Sequence, residues 1–171
     1  MAASSGFIVF RHTGTLIADT FLAAMTNHFS LRYCYLGIDA SGKVMATTLR
    51  SSGNESRHAD SGAAIAAGTW YALTFIKSAA AAPRIWLGAV ERTLTESLSG
   101  TGATADWCDD VASTPNSFSV AARITNEATR EYTNTCPVKV AAVGWTADVF
   151  ADTVPAQIAG YYAENHGIVG T

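Results

Sequence analysis

The stretch Gly68-Thr69-Trp70-Tyr71-Ala72-Leu73-Thr74-Phe75-Ile76-Lys77 decides the reading of this chain. A turn is followed by residues that alternate between two faces, the pattern of a strand inside a packed sandwich. The same texture recurs at Arg84-Ile85-Trp86-Leu87, at Phe118-Ser119-Val120-Ala121-Ala122 and at Val138-Lys139-Val140-Ala141-Ala142-Val143. Working outward, Phe7 to Phe10 and Thr20 to Met25 read as strands. Ser30 to Ile38 puts Leu31, Tyr33 and Tyr35 on one face and Cys34, Leu36 and Ile38 on the other. Asp39-Ala40-Ser41-Gly42 reads as a hairpin turn into Lys43 to Arg50, with Gly42 supplying the positive φ such a connection requires. In all there are roughly ten short strand candidates bounded by Gly, Asn, Asp and Ser, the mark of an all-β protein.

Two segments break the pattern. Ser78-Ala79-Ala80-Ala81-Ala82-Pro83 has helical composition but ends in proline between two strands, and reads as a loop. Leu94 to Asn116, rich in Ser, Thr, Gly and Asp, exceeds an ordinary hairpin connection and is expected to be a long functional loop. Near the end, Asp152-Thr153-Val154-Pro155 followed by Ile158, Tyr161 and Tyr162, with Asn165 and Gly167 as a stop, predicts one short C-terminal helix. No internal repeat is present, so the strands must close into two facing antiparallel sheets.

Composition bounds the function. The 171 residues suit a single domain spanning 1–171, and no linker divides them. Charged residues make up 15%, against roughly 25% in an ordinary soluble domain. A formal net charge of -3 with 11 scattered basic residues leaves no stripe to neutralise phosphates, so nucleic acid is excluded as an expected partner. No apolar run is long enough to span a bilayer, and the start lacks the basic and apolar regions of a secretory signal; synthesis in the cytoplasm and no membrane partner are expected. Three widely spaced cysteines, Cys34, Cys108 and Cys136, imply no disulfide framework; buried thiols are expected, with one bridge, such as Cys108 to Cys136, left open.

In their order, these landmarks resemble the laminin-G-like, concanavalin-A-like jelly-roll family from about Phe7 to Ala163. The turn-then-Trp strand is Gly68-Thr69-Trp70-Tyr71-Ala72-Leu73, and the next is Arg84-Ile85-Trp86-Leu87-Gly88, with Leu87 where the family has an acid. Ser119-Val120-Ala121-Ala122 matches a strand that generally carries Ile-Gly. Val140-Ala141-Ala142-Val143-Gly144-Trp145 matches the strand ending in Trp, with Ala142 where Glu is common, and the closing pattern matches 151–159. The resemblance implies a two-sheet antiparallel β-sandwich and a habit of binding, shared among glycan binders, adhesion modules and structural decorations. The two missing acids argue against a family-like calcium site, so no cofactor or metal is expected.

Catalytic signatures are weak. Glucanases on this sandwich carry Glu-x-Asp-x-x-Glu along one strand, because hydrolysis needs two carboxyls at fixed separation. Here Glu91 and Glu96 come closest, and their offset would put them on opposite faces of a strand. Glu127 and Glu131 read as solvated surface. His12, His28, His58 and His166 join no acid or cysteine at ligand spacing. No catalytic residue is expected, and the protein is read as a non-enzyme.

The candidate ligand site is Ala105-Asp106-Trp107-Cys108-Asp109-Asp110. An indole face complements the C–H face of a pyranose, and Asp106, Asp109 and Asp110 would accept hydroxyl protons. The competing use of Trp107 is as a plug for the sandwich edge, the commoner fate of a large aromatic. Trp70, Trp86 and Trp145 are expected in the core or on inner faces. A weakly charged surface rich in Ala, Thr and Ser suits dense packing against identical neighbours. The leading expectation is therefore a virion component of a bacteriophage, a capsid decoration or cement protein or a tail appendage, exposed on the particle and forming homo-oligomers such as trimers. The alternative is a lectin-like carbohydrate-binding adhesion module.

Overall fold

The structure is a computed structural model describing residues 3–16, 19–27, 32–51, 53–108, 117–121, 123–124, 132–133 and 137–167. Its strands are β1 (Ser4–His12), β2 (Thr20–Asn27), β3 (Arg32–Ile38), β4 (Val44–Ser51), β5 (Asn54–Asp60), β6 (Tyr71–Lys77), β7 (Arg84–Leu87), β8 (Val90–Glu91), β9 (Leu94–Ser99), β10 (Ser117–Val120), β11 (Arg123–Ile124), β12 (Tyr132–Thr133) and β13 (Val138–Thr146), followed by helix α1 (Val154–His166). A back sheet runs β13-β1-β6-β7-β8 and a front sheet β10-β2-β3-β4-β5-β9, and every pairing within them is antiparallel. The expected all-β sandwich with one C-terminal helix is the fold.

Alternation within strands builds the layers. Between the sheets lie Ile8, Phe10, Leu36, Ile38, Val44, Leu73, Phe75, Ile85 and Leu87, all buried. Strand β6 is buried on both faces, because the outer face of the back sheet is itself covered: Val9 and Ala72 pack with Phe7, Trp70, Ile158 and Tyr162, the last two from α1. Pro155 stands in the first turn of α1, and Gly167 ends it with φ 63°, the left-handed cap that glycine allows. The hairpin at Asp39–Gly42 forms as expected, with Gly42 at φ 80° and the Asp39 carboxylate accepting the Ser41 and Lys43 amides at 2.8 and 2.9 Å.

Three expectations are corrected. The stretch beginning at Leu94 is not loop throughout: Leu94–Ser99 is edge strand β9, paired to β5. It escapes the pattern rule because an edge strand facing water needs no apolar side, and Thr95, Ser97 and Ser99 are exposed. Cys34 and Cys108 are not free thiols but a disulfide, with Cα atoms 5.4 Å apart. Their separation of 74 residues hid the pairing, since only the sandwich brings β3 against the 100–108 segment. Finally, Trp86 is registered with Thr74, and Thr74 with Phe7, so Trp86, like Trp70, belongs to the outer face of the back sheet and not the inner one. Cys136, His28, Glu127 and Glu131 lie outside the described residues.

Candidate functional site

The outer face of the front sheet carries the most developed polar constellation. Its floor is aromatic: Phe21 stacks on Tyr35 with ring centroids 3.9 Å apart, and Tyr33 meets both edge-on at 5.4 Å. Gly37 makes this possible. A Cβ there would lie 2.7 Å from the Tyr35 ring and 2.6 Å from the Thr20 carbonyl oxygen, so only glycine lets the ring lie flat across its own strand.

Cross-strand register sets the next layer. Ala24, Tyr35, Thr47, Arg57 and Ser97 are successive partners across β2, β3, β4, β5 and β9, and side chains of one such row share one face. Arg57 is the centre. Its guanidinium donates to both oxygens of Asp19, at 2.7 and 3.3 Å, and stands 3.7 Å from Asp39 Oδ2. The Tyr35 hydroxyl donates to Asp19 Oδ2 at 3.4 Å. Glu55 lies two residues before Arg57 on the same face. The side chains of Arg57, Asp19 and Asp39 are 26%, 35% and 15% exposed, so the cluster is sunk in the face yet open to solvent.

The electrostatics follow from that geometry. Burial works against the charge on Arg57, but hydrogen bonding and attraction from Asp19 outweigh it and raise its pKa above the ordinary value. Burial holds the Glu55 carboxyl above its usual range, with Arg57 pulling the other way. Burial pushes the Tyr35 phenol far up, so it remains a hydrogen-bond donor at any physiological pH. One guanidinium, satisfied by a bidentate partner, thus faces Asp19, Asp39 and Glu55 beside the hydroxyls of Thr95, Ser97 and Ser99. That set offers more acceptors than donors and a surplus of negative charge.

The site expected from sequence falls elsewhere. Trp107 is 0% exposed. Its ring lies against Phe75 and Trp145 at 5.4 and 6.1 Å, and its Nε1 donates to Ser4 Oγ at 2.7 Å. It fills the sandwich, and no face of the indole is free for a sugar. Asp106 is also buried; it accepts from the Ala103 amide at 2.7 Å and from Arg50 at 3.3 Å, holding the loop. Asp109 and Asp110 lie outside the described residues. Glu91 and Glu96 stand in different sheets, on β8 and β9, and Glu91 is paired with Arg84 at 2.7 Å.

Sequence reasoning gave no sign of Arg57, because Asn54-Glu55-Ser56-Arg57-His58-Ala59-Asp60 has no apolar face to mark it as a strand. Its inward side is polar and buried: Ser56 Oγ and His58 Nε2 are 3.0 Å apart. The pair resembles a nucleophile and base, but both residues are under 4% exposed, so no substrate reaches them. Among the described residues no three histidines, cysteines or acids gather as a metal site, and no helix is long and apolar enough to cross a membrane.

No family model and no curated protein matches the sequence. Solved structures do match in fold. The carbohydrate-binding module CBM40 of the Ruminococcus gnavus IT-sialidase superposes with a TM-score of 0.71 at 12% identity, over 92% of this chain and 83% of that one. The same module bound to α2,3-sialyllactose gives 0.65 at 12% identity, again over 92% and 83%. A heptameric SAP-like pentraxin from Limulus polyphemus gives 0.58 at 7% identity, over 92% of this chain and 70% of that one. The chain therefore has the jelly-roll, concanavalin-A-like sandwich found in lectin domains.

Proposed function

We propose that this protein is a non-catalytic carbohydrate-binding module, and that its ligand is an uncharged glycan held on the outer face of the front sheet. The observation that carries the reading is the cluster of Arg57, Asp19, Asp39 and Glu55 above the Tyr35 ring. Carboxylates fixed by an arginine accept sugar hydroxyls in a defined direction, a few convergent polar groups on an aromatic floor being the usual make-up of a small-ligand site. The carbohydrate-binding neighbours support the class of ligand. The charge balance argues against an acidic sugar on this face, since Arg57 is already engaged and three carboxylates would repel another. Within the fold, the Gly68 to Leu73 signature favours the laminin-G-like branch.

A glycan array followed by calorimetry tests the reading. Neutral oligosaccharides should bind, and Arg57→Ala should weaken their binding by about tenfold or more, the scale of losing a charged hydrogen-bond partner. Binding that is absent throughout, or indifferent to both Arg57→Ala and Asp19→Asn, refutes it.

A second reading, self-assembly on a larger particle such as a capsid or tail, rests on composition and on one structural feature. A groove of about 320 Å³ between β10 and β13 is lined by Met25, Phe118, Val143 and Trp145, and Phe118 and Val143 are 45% and 37% exposed. Light scattering on the purified chain decides it: a monomer at high concentration rules out assembly through this edge.

A further inference from the structure

We infer that the protein has a second ligand site, on the opposite side of the sandwich, and that it takes a pyranose bearing a carboxylate. A cleft of about 380 Å³ opens between α1 and the outer face of the back sheet, lined by Trp70, Ala141, Tyr161, Tyr162 and His166. This volume lies within the range of small-molecule sites. Of the five described lining side chains four are aromatic rings, and the fifth is an alanine.

The rings form an ordered wall. Tyr161 and Tyr162 meet edge to face at 5.1 Å, and His166 lies 5.4 Å from Tyr162. The spacing along α1, with Tyr162 and His166 one turn apart, puts them on one side of the helix. Tyr162 also packs on Phe7 at 6.2 Å, which anchors the wall to the sheet. Tyr161, by contrast, is 56% exposed. An aromatic held open to water on a rigid element, beside others already packed, is a ready stacking surface for a sugar ring.

Charge completes the argument. The Arg11 guanidinium lies over the Trp70 ring, 5.2 Å from its centroid, so the cleft's own tryptophan carries a cation. Arg50, Arg57, Arg84 and Arg92 all have carboxylate partners. Arg11 has none among the described residues, and its buried Nε lacks any hydrogen-bond acceptor. Its register partner on β13 is Lys139, which is exposed, so two positive charges stand side by side on this face. The guanidinium over Trp70 and the exposed Lys139 ammonium give this face a positive field that attracts an anion to the cleft. The front face has the reverse balance, acids in excess around a satisfied arginine, so it disfavours the anionic sugar that the cleft favours.

The test uses methyl β-glucuronide and methyl β-glucoside as paired probes, followed by amide chemical shifts and tryptophan fluorescence of the full chain. The glucuronide should perturb Trp70, Ala141 and His166, and the glucoside should bind at least several-fold more weakly. Tyr161→Ala, which removes an exposed ring and spares the core, should weaken glucuronide binding by roughly tenfold, the upper value for one aromatic contact. Arg11→Gln should abolish the preference for the acid. Equal affinity of the two probes as read from the shifts of Trp70, Ala141 and His166, glucuronide shifts that map only to the front sheet, or Tyr161→Ala binding the glucuronide like the unaltered protein would each overturn the proposal. None of these outcomes depends on whether the front-sheet reading holds.

Discussion

His58 shows how much a single residue's environment decides. In sequence it is an isolated histidine; in the fold it is 3% exposed on the inward side of β5, hydrogen-bonded to Ser56. Burial lowers its pKa from the ordinary 6.5, with the charge of Glu96 and a hydrogen bond to the Thr104 backbone countering in part and Lys77 adding to the depression. The unfolded chain therefore takes up the proton first as pH falls. Stability from this residue is fully present above the unfolded value and is lost as pH drops below it towards the folded one. Urea unfolding between about pH 7.5 and pH 5 should show declining stability, and His58→Gln should flatten that decline; parallel curves for the two proteins would show that another group is responsible. Trp107 makes the complementary point. Its indole is shared between Phe75, Trp145 and Ser4, so truncating it opens the core, and no substitution there reports on ligand contact alone.

At the scale of elements, strands with at least one apolar face were legible and polar strands were not. Strands β1, β3, β6, β7 and β13 announce themselves because alternation or continuous burial requires Val, Ile, Leu and aromatic residues. Strands β5 and β9 do not, because β5 buries Ser56, His58 and Asp60 through hydrogen bonds and an ion pair with Arg92 at 2.8 Å, and β9 stands at an edge. The candidate site runs across the sheet from the aromatic strand β3, over β4, to those two polar strands, which explains why sequence led to Trp107 instead: the visible signal was an aromatic beside acids, and the actual constellation is assembled by register. The hairpin joining β3 to β4 links local and tertiary order, since Asp39 both closes the turn and faces Arg57. Asp39→Ala should cost about 1–2 kcal/mol through lost turn hydrogen bonds. Asp39→Asn should restore most of that stability, because an asparagine oxygen accepts the same amides, while removing the Asp39 charge 3.7 Å from Arg57. Thermal melts of the two variants check the difference, and equal losses would mean that charge, not turn geometry, dominates.

Across the whole molecule, the Cys34–Cys108 bridge fixes the middle of the front sheet to the segment that seats Trp107 in the core. It closes a span of 74 residues, and constraining a loop of that length in the unfolded chain is worth about 4 kcal/mol at room temperature. That is a large fraction of the roughly 5–15 kcal/mol that separates a folded domain from its unfolded ensemble. Both cysteines are at most 1% exposed, so a reductant can reach the sulfurs only when the sandwich opens. Two consequences are separable by experiment. Under native conditions, incubation with dithiothreitol should leave the bridge intact for long periods, as thiol labelling after quenching would show. In urea, the same reductant should lower the unfolding midpoint substantially, because the open chain regains the freedom the bridge had removed. A midpoint unchanged by reductant would mean that the crosslink contributes little beyond the packing around Trp107.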